Sequence, residues 1–427
     1  MVSLRNMKEA KKRSSKIKKL LTILGPGLIT GASDDDPSGI ATYTQAGAQF
    51  GYATLWTAVI TFPLMAAIQG MCARIGLVTS QGLTVTLKKH YPKSILYTML
   101  LFSFPAITLN IGADIQGMGA VTHMMLPQIP TFVCSIVFTA ILMFVIIKYP
   151  YQRVAMILKW LCLSVLLYIL VPFMVKQDWL VILKSTFIPT IKFNRDFLTL
   201  LVAILGTTIS PYLFFWQATM EAEDMAHSKN VVIVDKRIIT NMEVDVNAGM
   251  FLSNLVMFFM ILTAGSVLFK AGIHQIDTVD QAAKALEPLT GKLTYFIFTL
   301  GIIGTGLLAI PVLAGSQSYM LSETFGWEAG LDKKYSQAKG FYITIIFSLL
   351  VGLSLDFIGI SPIQALIYTA ILYGVTAPVL IAIILHIGNN KKVMGDYTNT
   401  KLSNVLGIIT LILMTIAAVA VVYFQFF

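Results

Sequence analysis

Three consecutive carboxylates and a proline interrupt an otherwise apolar stretch, GPGLITGASDDDPSGIATYTQAG. Asp34, Asp35 and Asp36 carry hard oxygen donors, which suit magnesium, calcium or manganese ions. A charged side chain at the centre of a membrane span costs at least about 2.5 to 3.5 kcal/mol. The three aspartates therefore need a ligand, a cavity or protonation to offset that cost, and a cation is the partner that the pattern favours.

The three aspartates are not equivalent. A helix turns by about 100° per residue, so three adjacent side chains cannot face one site unless the chain unwinds. Asp36 stands directly before Pro37, which disfavours helical geometry at the preceding residue. We therefore predict Asp36 as the cation ligand and expect Asp34 and Asp35 to face a water-filled inner vestibule.

A second proline interrupts another apolar stretch, GTTISPYLFFWQ at 206–217. A proline within a helix removes one N–H and frees carbonyl groups. At bilayer depth such carbonyls are tolerated only beside protein, water or a cation. Thr207 and Ser210 add hydroxyl oxygens next to Pro211, so the two interrupted stretches together predict a site with only oxygen donors.

The elements that position these residues are membrane spans. Of the 427 residues, 56% are hydrophobic and 12% are charged, whereas a soluble domain has about 25% charged residues. Apolar runs of the roughly 20 residues needed to cross a bilayer recur along the chain, which predicts an all-α polytopic membrane protein. Eleven spans are predicted at 21–47, 53–77, 95–124, 131–148, 154–174, 197–220, 247–269, 293–320, 338–356, 362–387 and 403–424.

The basic residues predict the orientation. With the N-terminus in the cytoplasm, roughly 24 of the 31 Lys and Arg residues lie on the inner side. The longest external connection follows an odd number of spans, so a second repeat of five spans would be inverted, as in many secondary transporters. The predicted divisions are a basic cytoplasmic tail (1–20), spans 1–5 (21–174), an external linker (175–196), spans 6–10 (197–388), and a cytoplasmic loop with span 11 (389–427).

Several classes of function find no support in the sequence. Cys72, Cys134 and Cys162 all lie in apolar runs without a CxxC or Cys/His pattern, so disulfides and structural zinc are not expected. No nucleotide-binding loop or nucleophile triad is present, which argues against an enzyme or an ATP-driven pump. We expect no resident cofactor, no nucleic-acid partner and no obligatory protein partner, and we expect the lipid bilayer to surround the spans.

The two interrupted motifs carry a family resemblance. GPGLITGASDDDPSGIATY resembles the first-span signature of Nramp divalent-metal transporters, and GTTISPYLFFWQ resembles their sixth-span signature. The resemblance covers nearly the whole chain. It implies a leucine-transporter-like fold of two inverted five-span repeats with an additional eleventh span, alternating access and metal import through the plasma membrane.

The chain departs from the family pattern at the residues that would hold the metal. The usual Asp-Pro-Gly-Asn is Asp36-Pro37-Ser38-Gly39, and the usual Met-Pro-His is Ser210-Pro211-Tyr212. The family's glutamine in the tenth span corresponds to Thr376 when the spans are aligned on Pro378. This combination is similar to the Nramp-related magnesium transporters. The resemblance implies a metal site of Asp36, Gly39, Thr207, Ser210 and Thr376, in which water completes the shell of the ion.

The resulting hypothesis is alternating-access import of hydrated Mg²⁺, with Mn²⁺ as a further substrate and with weak or absent proton coupling. A proton-coupled Mn²⁺ or Fe²⁺ symporter of the same fold, with Asp114 carrying protons, is the first alternative. A sodium-coupled carrier of organic solutes is the second, and a channel or an intramembrane aspartyl enzyme would belong to other classes. Glu221 is interpreted either as a group lining the inner exit or as part of a solvated helix end.

Overall fold

The computed structural model describes residues 25–150, 169–227, 234–287, 294–357 and 359–426. Within these ranges the regular structure is helical. The predicted basic tail at 1–20 and most of the predicted fifth span at 154–174 lie outside the described residues.

The helices fall into two groups separated by the connection between residues 188 and 194. The first group consists of α1 (Pro26–Asp34), α2 (Pro37–Phe50), α3 (Trp56–Thr79), α4 (Leu83–His90), α5 (Lys93–Met125), α6 (Thr131–Lys148), α7 (Val171–Met174) and α8 (Trp179–Phe187). The second consists of α9 (Arg195–Thr208), α10 (Pro211–His227), α11 (Lys236–Ala264), α12 (Val279–Ala283), α13 (Thr294–Phe325), α14 (Lys339–Leu353), α15 (Pro362–Asn389), α16 (Lys391–Met394) and α17 (Lys401–Phe426). A π-helical turn, Gly265–Phe269, extends α11.

Ten of the eleven predicted spans have a counterpart among the described helices. Eight are long and apolar enough to cross a membrane, with α9 and α10 counted as one. The first span is the broken pair α1 and α2, and the ninth is the shorter apolar helix α14. The structure therefore agrees with the predicted succession of spans, apart from the fifth, which lies outside the described residues.

Several helix boundaries differ from the sequence prediction, most of all the start of the seventh span. The seventh span was expected from residue 247, but α11 begins at Lys236 because the Asp235 side chain accepts a hydrogen bond from the Ile238 amide and caps the helix there. In the predicted external linker, the Asp178 side chain caps α8 in the same way. Hydropathy marks only the apolar part of a helix, whereas capping residues set where its backbone begins.

The first and sixth spans break in the same manner. Two residues separate α1 from α2 and α9 from α10, and a proline occupies the first position of the second helix in each pair. Asp35 ends α1 at φ −82° and ψ 54°, and Ile209 ends α9 at φ −107° and ψ 61°. Since a proline at the first helical position loses no intrahelical hydrogen bond, Pro37 and Pro211 start new helices rather than kink old ones.

Close backbone contacts hold the broken helices against their neighbours. A Cβ atom on Gly31 would lie 2.2 Å from the Gly249 carbonyl oxygen, so only glycine lets α1 approach α11 this closely. A Cβ atom on Gly206 would likewise lie 2.0 Å from the Ala370 carbonyl oxygen, where α9 meets α15. Small residues at helix contacts are the usual basis of close packing between membrane helices. Both breaks are therefore held within the helical bundle.

Candidate metal site at the two helix breaks

Asp36 lies at the centre of the first break. It has extended backbone angles, and its Oδ1 accepts a hydrogen bond of 2.8 Å from the Gly39 amide at the start of α2. Its Oδ2 accepts a hydrogen bond of 2.9 Å from Asn110 Nδ2 on α5. Only 2% of Asp36 is exposed. The carboxylate predicted from the sequence is thus buried and oriented by two helices.

The two breaks meet beside Asp36. The hydroxyl of Ser38, the second residue of α2, lies 3.5 Å from the Thr207 hydroxyl on α9. A Cβ atom on Gly39 would lie 3.5 Å from that same Thr207 oxygen. Gly39 therefore lies in van der Waals range of Thr207 while its amide donates to Asp36, and the structure brings these three predicted site residues together.

Ser210 lies in the second break, where its hydroxyl donates a hydrogen bond to the Thr207 carbonyl oxygen. Tyr212, on the first turn of α10, donates a hydrogen bond of 2.9 Å from its hydroxyl to the Ser33 carbonyl oxygen of α1. Both residues are buried. Carbonyls freed by the breaks are thus partly satisfied by hydroxyl groups, and Tyr212 joins one break to the other.

Thr376 is buried on α15, and its hydroxyl donates a hydrogen bond of 3.0 Å to the Leu372 carbonyl oxygen of the same helix. No hydrogen bond among the described residues joins Thr376 to Asp36. The contact from α15 runs instead through Thr369, whose hydroxyl lies 2.9 Å from Asn110 Oδ1. Thr376 therefore does not connect α15 to Asp36 in this conformation. Thr369 makes that connection, through Asn110.

Asp34 and Asp35 do not face an open vestibule, contrary to the expectation from sequence. They are 0% and 6% exposed, and Ser253 on α11 donates a hydrogen bond of 2.6 Å to Asp34 Oδ2. The Ser253 hydroxyl also lies 3.4 Å from Asp35 Oδ1. Since α11 packs directly over the end of α1, it excludes water from both carboxylates in this conformation.

Asp114 is another buried acid close to the site. It lies one helical turn after Asn110 on α5 and is 0% exposed. Its electrostatic neighbours are Asp36 and the backbone of Ser38, and neither of its oxygens has a hydrogen-bond partner among the described residues. Asp114 thus adds negative potential near Asp36 without being bonded to it.

A polar chain closes the N-terminal side of α1. The Thr30 hydroxyl lies 2.5 Å from Gln217 Oε1, and Gln217 Nε2 donates a hydrogen bond of 2.9 Å to Glu221. Glu221 is only 5% exposed, so it is not part of a solvated helix end in this conformation. On α11, Asp245 accepts hydrogen bonds from the amides of Gly25, Gly27 and Leu28. These contacts attach α1 to α10 and α11.

An apolar cavity of about 680 Å³ comes close to the site from another direction. It lies between α5, α9, α15 and α17, and Thr369 and Gln116 are among its polar lining residues. Thr369 in turn contacts Asn110, which contacts Asp36. Two hydrogen bonds therefore separate the cavity wall from the predicted ligand.

The described side chains do not by themselves form a closed metal cage around Asp36. In the described part of the chain, no three His, Cys, Asp or Glu side chains converge closely enough to hold a metal ion. Asp36 itself accepts hydrogen bonds from the Gly39 amide and Asn110 Nδ2, and Asp34 and Asp114 are acidic neighbours. Met257 Sδ lies 3.6 Å from the hydroxyl of Thr208, the residue before the second break. One carboxylate with hydroxyl and amide neighbours can bind a hard cation through oxygen and water.

Sequence reasoning did not select Asn110, Thr369 or Ser253. Asn110 precedes Asp114 by four residues and so shares its helix face, which is the signal that could have drawn attention to it. Thr369 and Ser253 carry no comparable local signal, because their partners lie 259 and 219 residues away in the chain. Contacts between the repeats have to be read from the tertiary structure.

Comparisons with known proteins agree with this architecture. The Divalent metal cation transporter MntH of Caldanaerobacter subterraneus subsp. tengcongensis is 24% identical over 398 residues, covering 92% of this chain and 90% of the relative. MntH of Bacillus subtilis is 24% identical over 386 residues, covering 90% and 87%.

Solved structures show the fold. A manganese transporter from Eremococcus coleocola, in complex with an aromatic bis-isothiourea substituted compound, superposes with a TM-score of 0.75 at 16% identity, covering 95% of this chain and 87% of the other. A nucleobase-cation-symport-1 family transporter in a closed conformation gives a TM-score of 0.57 at 14% identity, covering 93% and 92%. The fold is therefore the leucine-transporter-like arrangement of inverted repeats.

The family is shown by a family model. The model described as "Natural resistance-associated macrophage protein-like" matches residues 27–424, nearly the full length of the chain and both helix breaks. Members of this family are membrane transporters and not enzymes, which agrees with the multi-pass helical architecture. The chain belongs to the Nramp family.

Proposed function

We propose that this protein imports divalent metal cations by alternating access, with hydrated Mg²⁺ as its preferred substrate and Mn²⁺ as a further one. The MntH relatives are named as divalent metal cation transporters, and a structural neighbour is named as a manganese transporter. Membership of the same family supports divalent-cation transport here. The ion preference rests on the residues around Asp36.

The observation that carries the magnesium proposal is the set of oxygen-bearing side chains where the two breaks meet. Asp36 supplies a buried carboxylate there, the Ser38 hydroxyl lies 3.5 Å from the Thr207 hydroxyl, and Ser210 occupies the second break. Position 39 carries no side chain, so it supplies no side-chain ligand beside the carboxylate. Mg²⁺ dehydrates reluctantly and binds with few carboxylates and several waters. A thioether or imidazole ligand, which would favour softer transition metals, does not contact Asp36 in the described part of the chain.

We further propose that import proceeds by movement of one group of helices relative to the other around the two breaks. Helix α1 ends at the site and helix α10 begins there. In this proposal the contacts of α1 with Gln217 and Asp245 form in one state and break in the other. The inverted repeats are assigned to 21–174 and 197–388, with a cytoplasmic N-terminus, an external C-terminus and a plasma-membrane location. Asp114 has no cationic partner among the described residues, and proton coupling is proposed to be weak or absent.

The test is uptake into proteoliposomes that contain a magnesium-sensitive dye. Asp36→Ala is expected to abolish saturable Mg²⁺ uptake because it removes the carboxylate that attracts the ion. Asp178→Ala is the matched control, since Asp178 also caps a helix but is exposed in the linker. Wild-type uptake by Asp36→Ala protein would refute the site.

Competition with Mn²⁺, Ca²⁺ and Fe²⁺ in the same vesicles ranks the substrates. A stronger preference for Mn²⁺ or Fe²⁺, accompanied by acidification of the lumen, would replace the magnesium proposal with a proton-coupled transition-metal symporter. Saturable uptake of an organic solute without metal transport would place the protein in a different transport class.

A further inference from the structure

Asn110 is the one side chain from another helix that hydrogen-bonds to the Asp36 carboxylate among the described residues. Its Nδ2 donates to Asp36 Oδ2 at 2.9 Å, and its Oδ1 accepts from the Thr369 hydroxyl at 2.9 Å. Asn110 is 0% exposed. In the absence of a cation this orientation is the favourable one, because an amide N–H₂ group and not an oxygen faces the negative carboxylate.

A cation at Asp36 reverses that preference. If the Asn110 amide turns over about its terminal bond, its Oδ1 takes the place of Nδ2, close to 2.9 Å from Asp36 Oδ2. Mg²⁺ binds six oxygens at about 2.0–2.1 Å in an octahedron, which places neighbouring ligand oxygens about 2.8–3.0 Å apart. The existing separation has an ordinary hydrogen-bond length, and it is also compatible with one edge of a magnesium octahedron.

Thr369 can accept the turned amide without losing its hydrogen bond to Asn110. The Thr369 hydroxyl also lies 2.8 Å from the Leu366 carbonyl oxygen of its own helix. After the turn, this hydroxyl donates to Leu366 and accepts from Asn110 Nδ2. A hydroxyl group is both donor and acceptor, so Thr369 can serve either orientation of the amide.

We propose that Asn110 is a substrate-binding residue, which turns its amide when a divalent cation occupies Asp36 and supplies Oδ1 to the ion's oxygen shell. The inference rests on the proposed function of Asp36 and extends it. It adds a ligand from α5 to the residues predicted at the two breaks and on α15. Because Asn110 also bonds to Thr369, binding of the ion would change the hydrogen bond between α5 and α15.

Two substitutions separate this role from that of a simple hydrogen-bond donor. Asn110→Leu keeps the approximate volume but has no oxygen, and we expect its KM for Mg²⁺ uptake to rise roughly 10- to 100-fold. Asn110→Asp keeps an oxygen and adds charge but has no N–H, so its KM should equal or fall below that of the wild type. If Asn110 acted only by donating to Asp36, Asn110→Asp would be at least as defective as Asn110→Leu, and that result overturns the proposal.

Gln317→Leu is the matched control for removing a buried amide beside α5. Gln317 donates to the Thr108 hydroxyl and the Phe104 carbonyl oxygen and is 0% exposed. Its loss should lower the melting temperature without changing the KM for Mg²⁺. An equal rise in KM for Gln317→Leu and Asn110→Leu would assign the effect to helix packing and overturn the proposal.

A second measurement covers the case in which Asn110→Asp fails to fold. Wild-type protein labelled with ¹⁵N-asparagine is titrated with Mg²⁺, and the Asn110 side-chain signal is identified by its loss in Asn110→Leu. The signal should shift as Mg²⁺ saturates the site, and an unmoved signal at saturation overturns the proposal. If Asp36→Ala abolishes uptake while Asn110→Leu leaves KM unchanged, this inference fails and the proposed function stands. If Asp36→Ala transports normally, the proposed site itself fails.

Discussion

Removing the Asp245 carboxylate should release α1 from α11. The side chain is 2% exposed and accepts hydrogen bonds from the amides of Gly25, Gly27 and Leu28 at 2.8, 2.7 and 3.2 Å. These amides belong to the start of a helix, where N–H groups have no partner within the helix. Asp245 thus caps α1 from a different helix, so the cap exists only while the two helices are in contact.

The expected magnitude follows from these three hydrogen bonds. A cap residue contributes about 0.5–2 kcal/mol and a hydrogen bond to a charged group about 1.5–3 kcal/mol. Because the amides regain water when α1 moves away, we expect Asp245→Ala to weaken the attached state by about 2–4 kcal/mol in total. That corresponds to a roughly 30- to 700-fold shift toward the released state. Asp245→Asn should give a smaller shift, since neutral hydrogen bonds are about half as strong.

The assay measures access to the covered face of α1. A cysteine introduced at Ser33, which is 1% exposed, is labelled with a membrane-impermeant maleimide in inside-out vesicles. Asp245→Ala should increase the labelling rate in proportion to the released population. Asp235→Ala is the control, because Asp235 caps α11 itself through the Ile238 amide and has no described contact with α1. Equal labelling in both variants, or no increase with Asp245→Ala, would refute the reasoning.

Three further predictions follow from the same contacts. Gly249→Ala should destabilise the protein by about 1–3 kcal/mol, seen as a lower melting temperature, because its Cβ atom would lie 2.1 Å from the Gly27 carbonyl oxygen. Gly70→Ala, with nothing within 4 Å of its Cβ atom, should show no such loss, and equal melting temperatures for the two variants would contradict the packing argument. Thr207→Val should raise the KM for Mg²⁺ more than Thr376→Val, because the Thr207 hydroxyl faces Ser38 whereas the Thr376 hydroxyl bonds to its own helix. If uptake assays give the reverse order, Thr376 and not Thr207 is the residue closer to the bound ion. Wild-type Mg²⁺ uptake should leave the lumen pH unchanged when monitored with a pH-sensitive dye, and magnesium-dependent acidification would show proton coupling.

Much of the candidate site could be predicted because its signals are local. A residue directly before a proline is disfavoured in helical geometry, and Asp36 accordingly caps α2 with extended backbone angles. The corresponding proline at 211 marks the second break for the same reason, and Thr207 and Ser210 lie next to it in sequence. Gly39 and Thr207 were expected at one site, and they meet there because the two breaks lie side by side.

The sequence by itself determined the succession of the ten spans that the structure describes and the positions of the two breaks, because each depends on residues close together in the chain. Only the tertiary structure decided which side chains complete the site. Asn110 on α5 donates to Asp36 and is itself bonded to Thr369 on α15, whereas Ser253 on α11 donates to Asp34. Those contacts depend on how the helices pack. Hydropathy indicates which face of a helix is apolar, but it does not indicate which residue of another helix that face contacts.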